Sequence, residues 1–368
     1  MTSHWYLPKT GTIADVLRVL LIALLVLLQV SPASAKKKKS PDEITQVLNL
    51  PKDPPAAIVA DVSHLTFHVS PLSPKGLLSQ QTREALKHIM QETHGATIVK
   101  LRAFVAGSGD LRRVQQIVSE TFTDKHANIP VLSVIQVGAL PLEGAQVALE
   151  SIASDRKEQN PAGLAFVSGQ PSMLKDPLTP LKNQIDKAGL VDGGVRRITC
   201  FLGNLDTVNE LRGQAATMYP KAALDFVQLQ RGSLELTAEC EAVVALSSPP
   251  NRPLSLLDPV PGRYSQVALV GPGRLAMTGT QVGFRAQDAD VKLAFERLGK
   301  ALESVGAGYK NVAVTHIYAL STSIANRVRP VRFEFLDPAK PPASTMLLFE
   351  GLPGLDATFA IDVMAVMP

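Results

Sequence analysis

The stretch GRYSQVALVGPGRLAMTGTQ at positions 262–281 decides the fold prediction. Two short runs of alternating apolar residues are separated by Gly271, Pro272 and Gly273, residue types that are typical of turns. We therefore predict a β-hairpin with a loose turn at this point. An amphipathic helical pattern follows it, and then come patterns for a strand, a second helix and two further strands.

The same plan can be traced twice more upstream, which indicates three internal copies. In each copy a helix stops at a glycine, and a proline stands before the last two strands. The glycines are Gly95, Gly189 and Gly306, and the prolines are Pro130, Pro220 and Pro342. The first helix of each copy is predicted at 79–93, 177–188 and 289–304. The second helices are predicted to be capped by Asp110, Asn204 and Ser321.

These patterns divide the chain into six predicted segments, because about 310 residues after the N-terminal leader are too many for one small core. The predicted segments are a signal peptide (1–35), a basic and Pro-rich linker (36–57), a first and most degenerate copy (58–153), a second copy (162–246), a Pro-rich linker (247–261) and a third copy (262–368).

The N-terminus has the features of a secretory signal peptide. Lys9 and Arg18 precede an apolar run at 19–28, and Ala33-Ser34-Ala35 has the form of a cleavage site. The run is shorter than the roughly 20 residues that span a bilayer. We therefore predict cleavage near Ala35 and export to the periplasm or the extracellular space. A membrane anchor through residues 16–31 is the alternative.

The high isoelectric point of about 9.0 comes mainly from a short tail. Lys36, Lys37, Lys38 and Lys39 follow the predicted cleavage site, and without them the exported chain has nearly equal numbers of basic and acidic residues. A weak contact of these lysines with an anionic membrane surface is expected. A nucleic-acid partner is not expected, because such proteins carry basic charge on a folded face.

Three short motifs resemble the RidA (YjgF) family of imine deaminases. They are Tyr264-Ser265-Gln266, the turn Ser168-Gly169-Gln170 and the turn Thr278-Gly279-Thr280-Gln281. The resemblance implies an α+β, chorismate-mutase-like fold, and a homotrimer with sheets facing inward, helices outside and pockets between subunits. Three copies in one chain then imply an intramolecular pseudo-trimer, and hence a monomer in solution.

The resemblance also implies where a deaminase site would lie. Its substrate-binding arginine begins the strand after the landmark proline, and these positions are Leu132, Leu224 and Ser344 here. An arginine there would hold a substrate carboxylate through two hydrogen bonds. The family's acid, which positions or activates water, matches Ala148, Glu239 and Ala360. The arginine is thus absent from all three copies, and one acid remains.

The candidate site residues follow from these matches. Glu239 is the candidate catalytic residue, and the candidate ligand-binding residues are Tyr264, Ser168, Gly169, Gln170, Gly279, Thr280 and Gln281. Two alternatives stay open: Glu239 is a solvated acid on a polar strand face beside Glu235 and Glu241, and Tyr264 is a packing aromatic at a junction between copies.

Neither a metal nor another cofactor is predicted. The seven histidines have no partner pattern typical of a metal site, and neither a phosphate-binding loop nor a dinucleotide fingerprint occurs in context. Cys200 and Cys240 both lie in the second copy. An exported protein permits a disulfide between them, but two separate buried thiols fit the sequence as well.

Three functions are compatible with this pattern. The first is a protein that binds a small metabolite in clefts between the copies, having lost the deaminase arginine. The alternative is an imine or enamine deaminase, a C–N hydrolase with an atypical site around Glu239. A ribonuclease-like activity is the third, and the near-neutral body of the chain argues against it.

The leader prediction has a simple test. Trp5 is the single tryptophan of the chain, so the exported protein is expected to lack tryptophan absorbance and fluorescence. The measurement is the intact mass and emission spectrum of protein purified after export. A tryptophan signal in the exported protein would contradict cleavage near Ala35.

Overall fold

A computed structural model describes residues 50–107, 109–173, 176–231 and 237–368. The predicted signal peptide and the lysines at 36–39 lie outside these residues. Residues 50–368 form one compact unit, so the predicted limits between copies stay predictions. Within the described part of the chain, no helix has both the length and the apolar character that crossing a bilayer requires.

The succession strand, helix, strand, helix, strand, strand occurs three times. The first set is β1 (Ala57–Asp61), β2 (Leu65–Val69), α1 (Leu78–Glu92), β3 (Thr97–Ala106), α2 (Leu111–Asp124), β4 (Val131–Val137) and β5 (Val147–Ser154). The second is β6 (Leu164–Met173), α3 (Leu178–Lys187), β7 (Val195–Leu202), α4 (Val208–Met218), β8 (Ala223–Gln228) and β9 (Thr237–Ala245). The third is β10 (Leu254–Val260), β11 (Tyr264–Val270), β12 (Arg274–Thr278), β13 (Gln281–Phe284), α5 (Asp288–Glu303), β14 (Val312–Ala319), α6 (Thr322–Val331), β15 (Ala343–Leu348) and β16 (Ala357–Val366).

Most local signals in the sequence match the structure. The three landmark glycines follow α1, α3 and α5 in the left-handed region, with φ of 86°, 68° and 78°, where glycine is favoured. Asp110 and Ser321 accept hydrogen bonds from the first turns of α2 and α6. The cap predicted at Asn204 is wrong: its side chain accepts from Asp206 N at 3.1 Å, and α4 begins four residues later.

The predicted hairpin is also wrong, although both of its strands exist. β11 pairs with β10 and β6, whereas β12 pairs with β1 and β16. The turn at Gly271, Pro272 and Gly273 therefore joins two strands that pair with different partner strands and not with each other. A periodicity of two predicts that a segment is a strand but carries no information about its partner.

The Pro-rich segment 247–261 is more ordered than the predicted linker. Its second half forms β10, which pairs antiparallel with β11 from Leu254 opposite Val270 to Val260 opposite Tyr264. Pro259 lies in this strand. A proline removes one ladder hydrogen bond and is tolerated mainly on edge strands, and the only strand found paired with β10 in the described chain is β11.

Each copy has the same ladder. The middle strand pairs parallel with the next strand and antiparallel with the last one, as in β3–β4 and β3–β5, β7–β8 and β7–β9, and β14–β15 and β14–β16. The strands form a twelve-stranded and a four-stranded sheet. The two sheets touch where Thr280 N donates to Leu132 O at 3.2 Å and where Ala139 bridges Gln228.

Apolar side chains pack on both faces of the strands. Three clusters each join the helices of one copy to its own strands. Two further clusters draw on strands from all three copies, and one of them contains Phe104, Phe201 and Tyr318. The α+β class predicted from the sequence is therefore confirmed, with helices on one face of the strands.

The two cysteines are joined by a disulfide. Cys200 on β7 and Cys240 on β9 stand directly opposite each other in the antiparallel ladder. Both are buried in the cluster beneath α3 and α4. Of the two alternatives that the sequence left open, the structure has the covalent one.

Charged side chains are buried at the centre of the molecule, and we call them the central charged cluster. Its members are Lys100, Arg102, Glu150, Arg197, Glu241, His316 and Asp362. Three pairs occupy matching ladder positions: Arg102 faces Glu150, Thr199 faces Glu241 and His316 faces Asp362. The equivalent strands of the three copies thus all contribute to one cluster.

Contacts in this cluster cross from copy to copy. Arg102 Nη2 lies 2.8 Å from Glu241 Oε1, and Thr199 Oγ1 donates to Glu150 Oε1 at 2.5 Å. Lys100 Nζ lies 3.0 Å from Asp362 Oδ1. Burial would raise the pKa of Glu241, but the cations Arg102 and His316 hold that pKa well below its usual range.

Removing one cation should therefore destabilise the fold. Arg102→Met leaves Glu150 and Glu241 buried without their nearest guanidinium, and the expected loss is about 3–5 kcal/mol in the free energy of unfolding. Arg112→Met is the control, because Arg112 is exposed and its pair with Asp110 is worth about 0–1 kcal/mol. The measurement is urea unfolding at pH 7. Equal losses in both variants would contradict a structural role for the cluster.

Candidate functional site

The predicted turn at Ser168, Gly169 and Gln170 is a bulge in β6. Val167 pairs with Ala242 and Gln170 with Cys240, so two residues of β6 stand opposite Glu241 alone. Bulges re-aim side chains and often lie beside functional sites. We call this region, together with the strands it contacts, the Ser168 junction.

Hydrogen bonds tie the bulge to the third copy. Ser168 Oγ donates to Ser265 O at 2.6 Å and accepts from Ser344 N at 2.9 Å. Gly169 N donates to Thr345 Oγ1 at 3.3 Å. The bulge therefore joins β6 of the second copy to β11 and β15 of the third copy.

The Tyr-Ser-Gln motif meets the bulge at this junction. Gln170 Nε2 donates to Gln266 Oε1 and to Ser168 O, both at 2.9 Å. Tyr264 begins β11, two residues before Gln266, and its side chain is partly buried. The structure thus brings two of the three predicted motifs together, although they are almost 100 residues apart in the chain.

Glu239 belongs to the same junction. A Cβ atom placed on Gly169 would lie 2.0 Å from Glu239 Oε1, so the glycine is needed for the carboxyl to approach the backbone. Burial raises the pKa of Glu239 to about 8, and the neighbouring Glu241 adds to this effect. Glu239 shares a strand face with the buried Glu241, and Glu239 itself is partly exposed.

The three positions of the missing arginine are equivalent in the structure. Leu132, Leu224 and Ser344 are the second residues of β4, β8 and β15. They stand opposite Leu101, Ile198 and Thr315, which occupy one ladder position. None of the three strands carries a basic side chain there, as the sequence predicted.

A buried arginine that sequence reasoning missed lies next to one of these positions. Arg332, in the short 3-10 turn after α6, is 4% exposed. Its Nη1 lies 3.4 Å from Ser344 Oγ, and its Nη2 donates to Arg263 O. Burial, together with Arg329, lowers the pKa of Arg332 to about 10, which still leaves it cationic at neutral pH.

Arg332 is incompletely paired. Its Nε is buried without a hydrogen-bond partner, and no carboxylate of the described chain forms an ion pair with it. An arginine near the end of a helix usually interacts with solvent and the helix dipole. The sequence therefore held no signal that this side chain turns inward to Ser344.

The third predicted motif lies at a different junction. Gly279 N donates to Ala56 O at 3.1 Å, and a Cβ on Gly279 would lie 2.9 Å from Leu132 O. Gln281 pairs with Ile361 in the β13–β16 ladder. Gly279, Thr280 and Gln281 therefore join the third copy to the first, and the acid position of this junction is Ala360.

The raised pKa of Glu239 predicts a pH-dependent stability. A carboxyl with a higher pKa in the folded protein favours folding when protonated. That advantage is complete below the unfolded pKa of about 4.3 and is lost as pH rises to about 8. Glu239→Gln stays neutral, so its free energy of unfolding relative to wild type is expected to rise from pH 4 to 8 and then level off.

Chemical denaturation across this pH range is the measurement. Glu143→Gln is the control, because Glu143 is exposed on a loop and should give a constant difference. A constant difference for Glu239→Gln as well would show that this carboxyl titrates like an exposed one.

Known structures resemble parts of this chain. Neither models of protein families nor curated proteins gave a match. Solved structures did match, each over part of this chain. A member of the YjgF/YER057c/UK114 family from Mycobacterium tuberculosis is 22% identical with a TM-score of 0.24, and the match covers 25% of this chain and 79% of that one.

Two further solved structures give the same result. YyfB of the Rid protein family from Yersinia pestis is 20% identical with a TM-score of 0.29, over 32% of this chain and 100% of that one. RidA from the Antarctic bacterium Psychrobacter is 18% identical with a TM-score of 0.23, over 25% and 80%. The matched structures belong to the RidA (YjgF) family that the sequence resembles, and each match covers no more than 32% of this chain.

Proposed function

We propose that this chain is an exported, RidA-like protein that binds a small anionic metabolite at the Ser168 junction and does not hydrolyse imines. Its three copies fold as an intramolecular pseudo-trimer, so that one chain supplies both sides of the junction. The observation that carries the proposal is the combination of Ser344 at the arginine position with a buried Arg332 beside it, whose Nε has no hydrogen-bond partner.

The central contacts support the pseudo-trimer. Ser133 of the first copy donates to Asp362 of the third at 2.8 Å, and Thr345 of the third donates to Glu241 of the second at 2.6 Å. Thr199 of the second donates to Glu150 of the first. A hydroxyl of the first copy thus bonds to an acid of the third copy, one of the third to an acid of the second, and one of the second to an acid of the first. The three contacts follow a cyclic order.

The state of Glu239 argues against deaminase chemistry. A general base must be ionised near the operating pH to take a proton from water. With its pKa raised to about 8, Glu239 is mostly protonated at neutral pH. The strand positions that would hold a substrate carboxylate are Leu132, Leu224 and Ser344, none of which forms an ion pair.

Arg332 supports binding of an anion. A buried cation without a counter-ion is unfavourable, and buried charges are usually paired. A guanidinium also matches the geometry of a carboxylate or phosphate. A small carboxylate that reached Arg332 and Ser344 would supply the missing partner, with donors from the bulge close by.

Export is supported by the disulfide. Bonds such as Cys200–Cys240 persist mainly in oxidising compartments. The signal peptide predicted at 1–35 agrees with export to such a compartment. The four lysines at 36–39 would then lie at the start of the exported chain, where a weak contact with anionic lipid is expected.

An imine-hydrolysis assay on residues 36–368 tests the proposal. An amino-acid oxidase generates acidic, basic and neutral amino-acid imines in place, and the 2-oxo acid product is measured over time. The expected rate equals that of buffer alone. Turnover that Glu239→Ala abolishes would overturn the binding proposal in favour of the deaminase alternative.

Ligand binding is measured on the same protein by thermal unfolding with 2-oxobutyrate, 2-oxoglutarate and related carboxylates. At least one is expected to raise the unfolding temperature of wild type and to leave Arg332→Met unchanged. Arg329→Met is the matched control, because Arg329 is exposed on the same helix end and bonds to Asn326. No response in wild type, or an equal response in Arg332→Met, would contradict the proposed site.

A further inference from the structure

A small cavity lies inside the central charged cluster. Two residues of its wall, Arg197 and His316, also line a second small cavity that borders Ser168. The first cavity has a volume of about 10 Å³, close to the least that holds one water molecule. Four of its lining residues are basic and one is acidic. They are Lys100, Arg102, Arg197, His316 and Glu150, together with the apolar Ile152 and Met364.

Arg197 is the basic residue in this wall that lacks close partners. It is 4% exposed, and its Nε has no hydrogen-bond partner. Its nearest carboxylate contacts are 3.7 Å from Nη1 to Glu150 Oε2 and 3.8 Å from Nη2 to Glu241 Oε1. Both distances are too long for hydrogen bonds, so a third species between these groups is expected.

The other three cations of the wall are already paired. Lys100 Nζ lies 3.0 Å from Asp362, and His316 Nδ1 lies 3.0 Å from the same carboxylate. Arg102 bonds to both Glu150 and Glu241. Arg197 is therefore the cation of this wall without a carboxylate at hydrogen-bond distance, although Arg102 Nη1 is also buried without a partner.

Basic side chains outnumber ionised carboxylates in the cluster. Despite burial, nearby cations lower the pKa of Glu150, Glu241 and Asp362, so all three are ionised. Glu241 and Asp362 raise the pKa of His316 against the effect of burial, whereas burial lowers the pKa of Lys100. The remaining buried acid, Asp225, has its pKa raised to about 8 by burial and by Glu150.

We propose that this cavity binds one monoatomic anion, chloride in physiological media, held by Arg197 among the four cations. A chloride would supply both the missing acceptor for Arg197 and the missing negative charge. A water molecule would supply only the acceptor. The guest would lie where strands of all three copies meet, so binding would stabilise the docked arrangement of the copies.

Bromide replacement locates the guest directly. Crystals of the full exported chain are soaked in sodium bromide, and anomalous scattering is collected at the bromine edge. A bromide peak within hydrogen-bond distance of Arg197 is expected. A cavity without anomalous signal, filled by water, would overturn the proposal whether or not any variant folds.

Solution stability supplies a second readout. Unfolding is measured in sodium chloride and in sodium gluconate at equal ionic strength, at pH 7. Chloride at about nine times its dissociation constant should lower the equilibrium constant of unfolding about tenfold relative to gluconate. Coinciding curves in the two salts would count against a chloride site.

Two variants separate charge at Arg197 from general effects of salt. Arg197→Met removes the guanidinium and is expected to abolish the difference between chloride and gluconate. Asp225→Asn keeps a neutral side chain beside Glu150 and lies outside the cavity wall, so it should retain the wild-type difference. A chloride effect that persists in Arg197→Met would place the anion elsewhere and overturn the assignment.

Discussion

The rest of the structure depends on ion pairs that are buried between copies of one structural unit. Glu241 illustrates the constraint, because its partners Arg102, His316 and Thr345 all come from outside its own copy. A buried carboxylate without its cation costs several kcal/mol. The second copy alone could not bury this acid in an ionised form. Docking of the copies and ionisation of the cluster therefore depend on each other, which favours one register of the three ladders over any slipped alternative.

The same strand shows how environment separates two identical side chains. Glu239 and Glu241 are two residues apart on β9, so their side chains lie on one face of the strand. Glu241 is surrounded by cations and its pKa is lowered, whereas burial near Gly169 raises the pKa of Glu239. Residue type and strand position are thus insufficient to assign a role. The acid that matches a catalytic position has a raised pKa, and the acid beside it has a lowered pKa.

Sequence reasoning succeeded where a structure depends on neighbouring residues and failed where it depends on distant ones. The helix-ending glycines Gly95, Gly189 and Gly306 were predicted because a left-handed residue after a helix is a local requirement. The hairpin prediction at 262–281 is wrong because strand pairing depends on residues that are far apart in the chain. The sequence does not predict β10, because prolines are uncommon in strands. Glu239 and the Ser168 bulge are predicted by resemblance and stay candidates, whereas Arg332 reaches Ser344 only through the packing of α6 against β15.

Arg332 and Arg197 have one physical feature in common that a sequence pattern does not reveal. Each is 4% exposed, and in each the Nε atom is buried without a partner. A guanidinium cannot lose its proton at neutral pH to relieve this condition, unlike a buried lysine. The remaining physical solution is an anion or solvent from outside the chain. Arg332 lies beside Ser344, which is hydrogen-bonded to the bulge, whereas Arg197 lines a cavity of about 10 Å³. The first environment therefore favours an exchangeable metabolite, and the second favours a permanent ion that belongs to the fold.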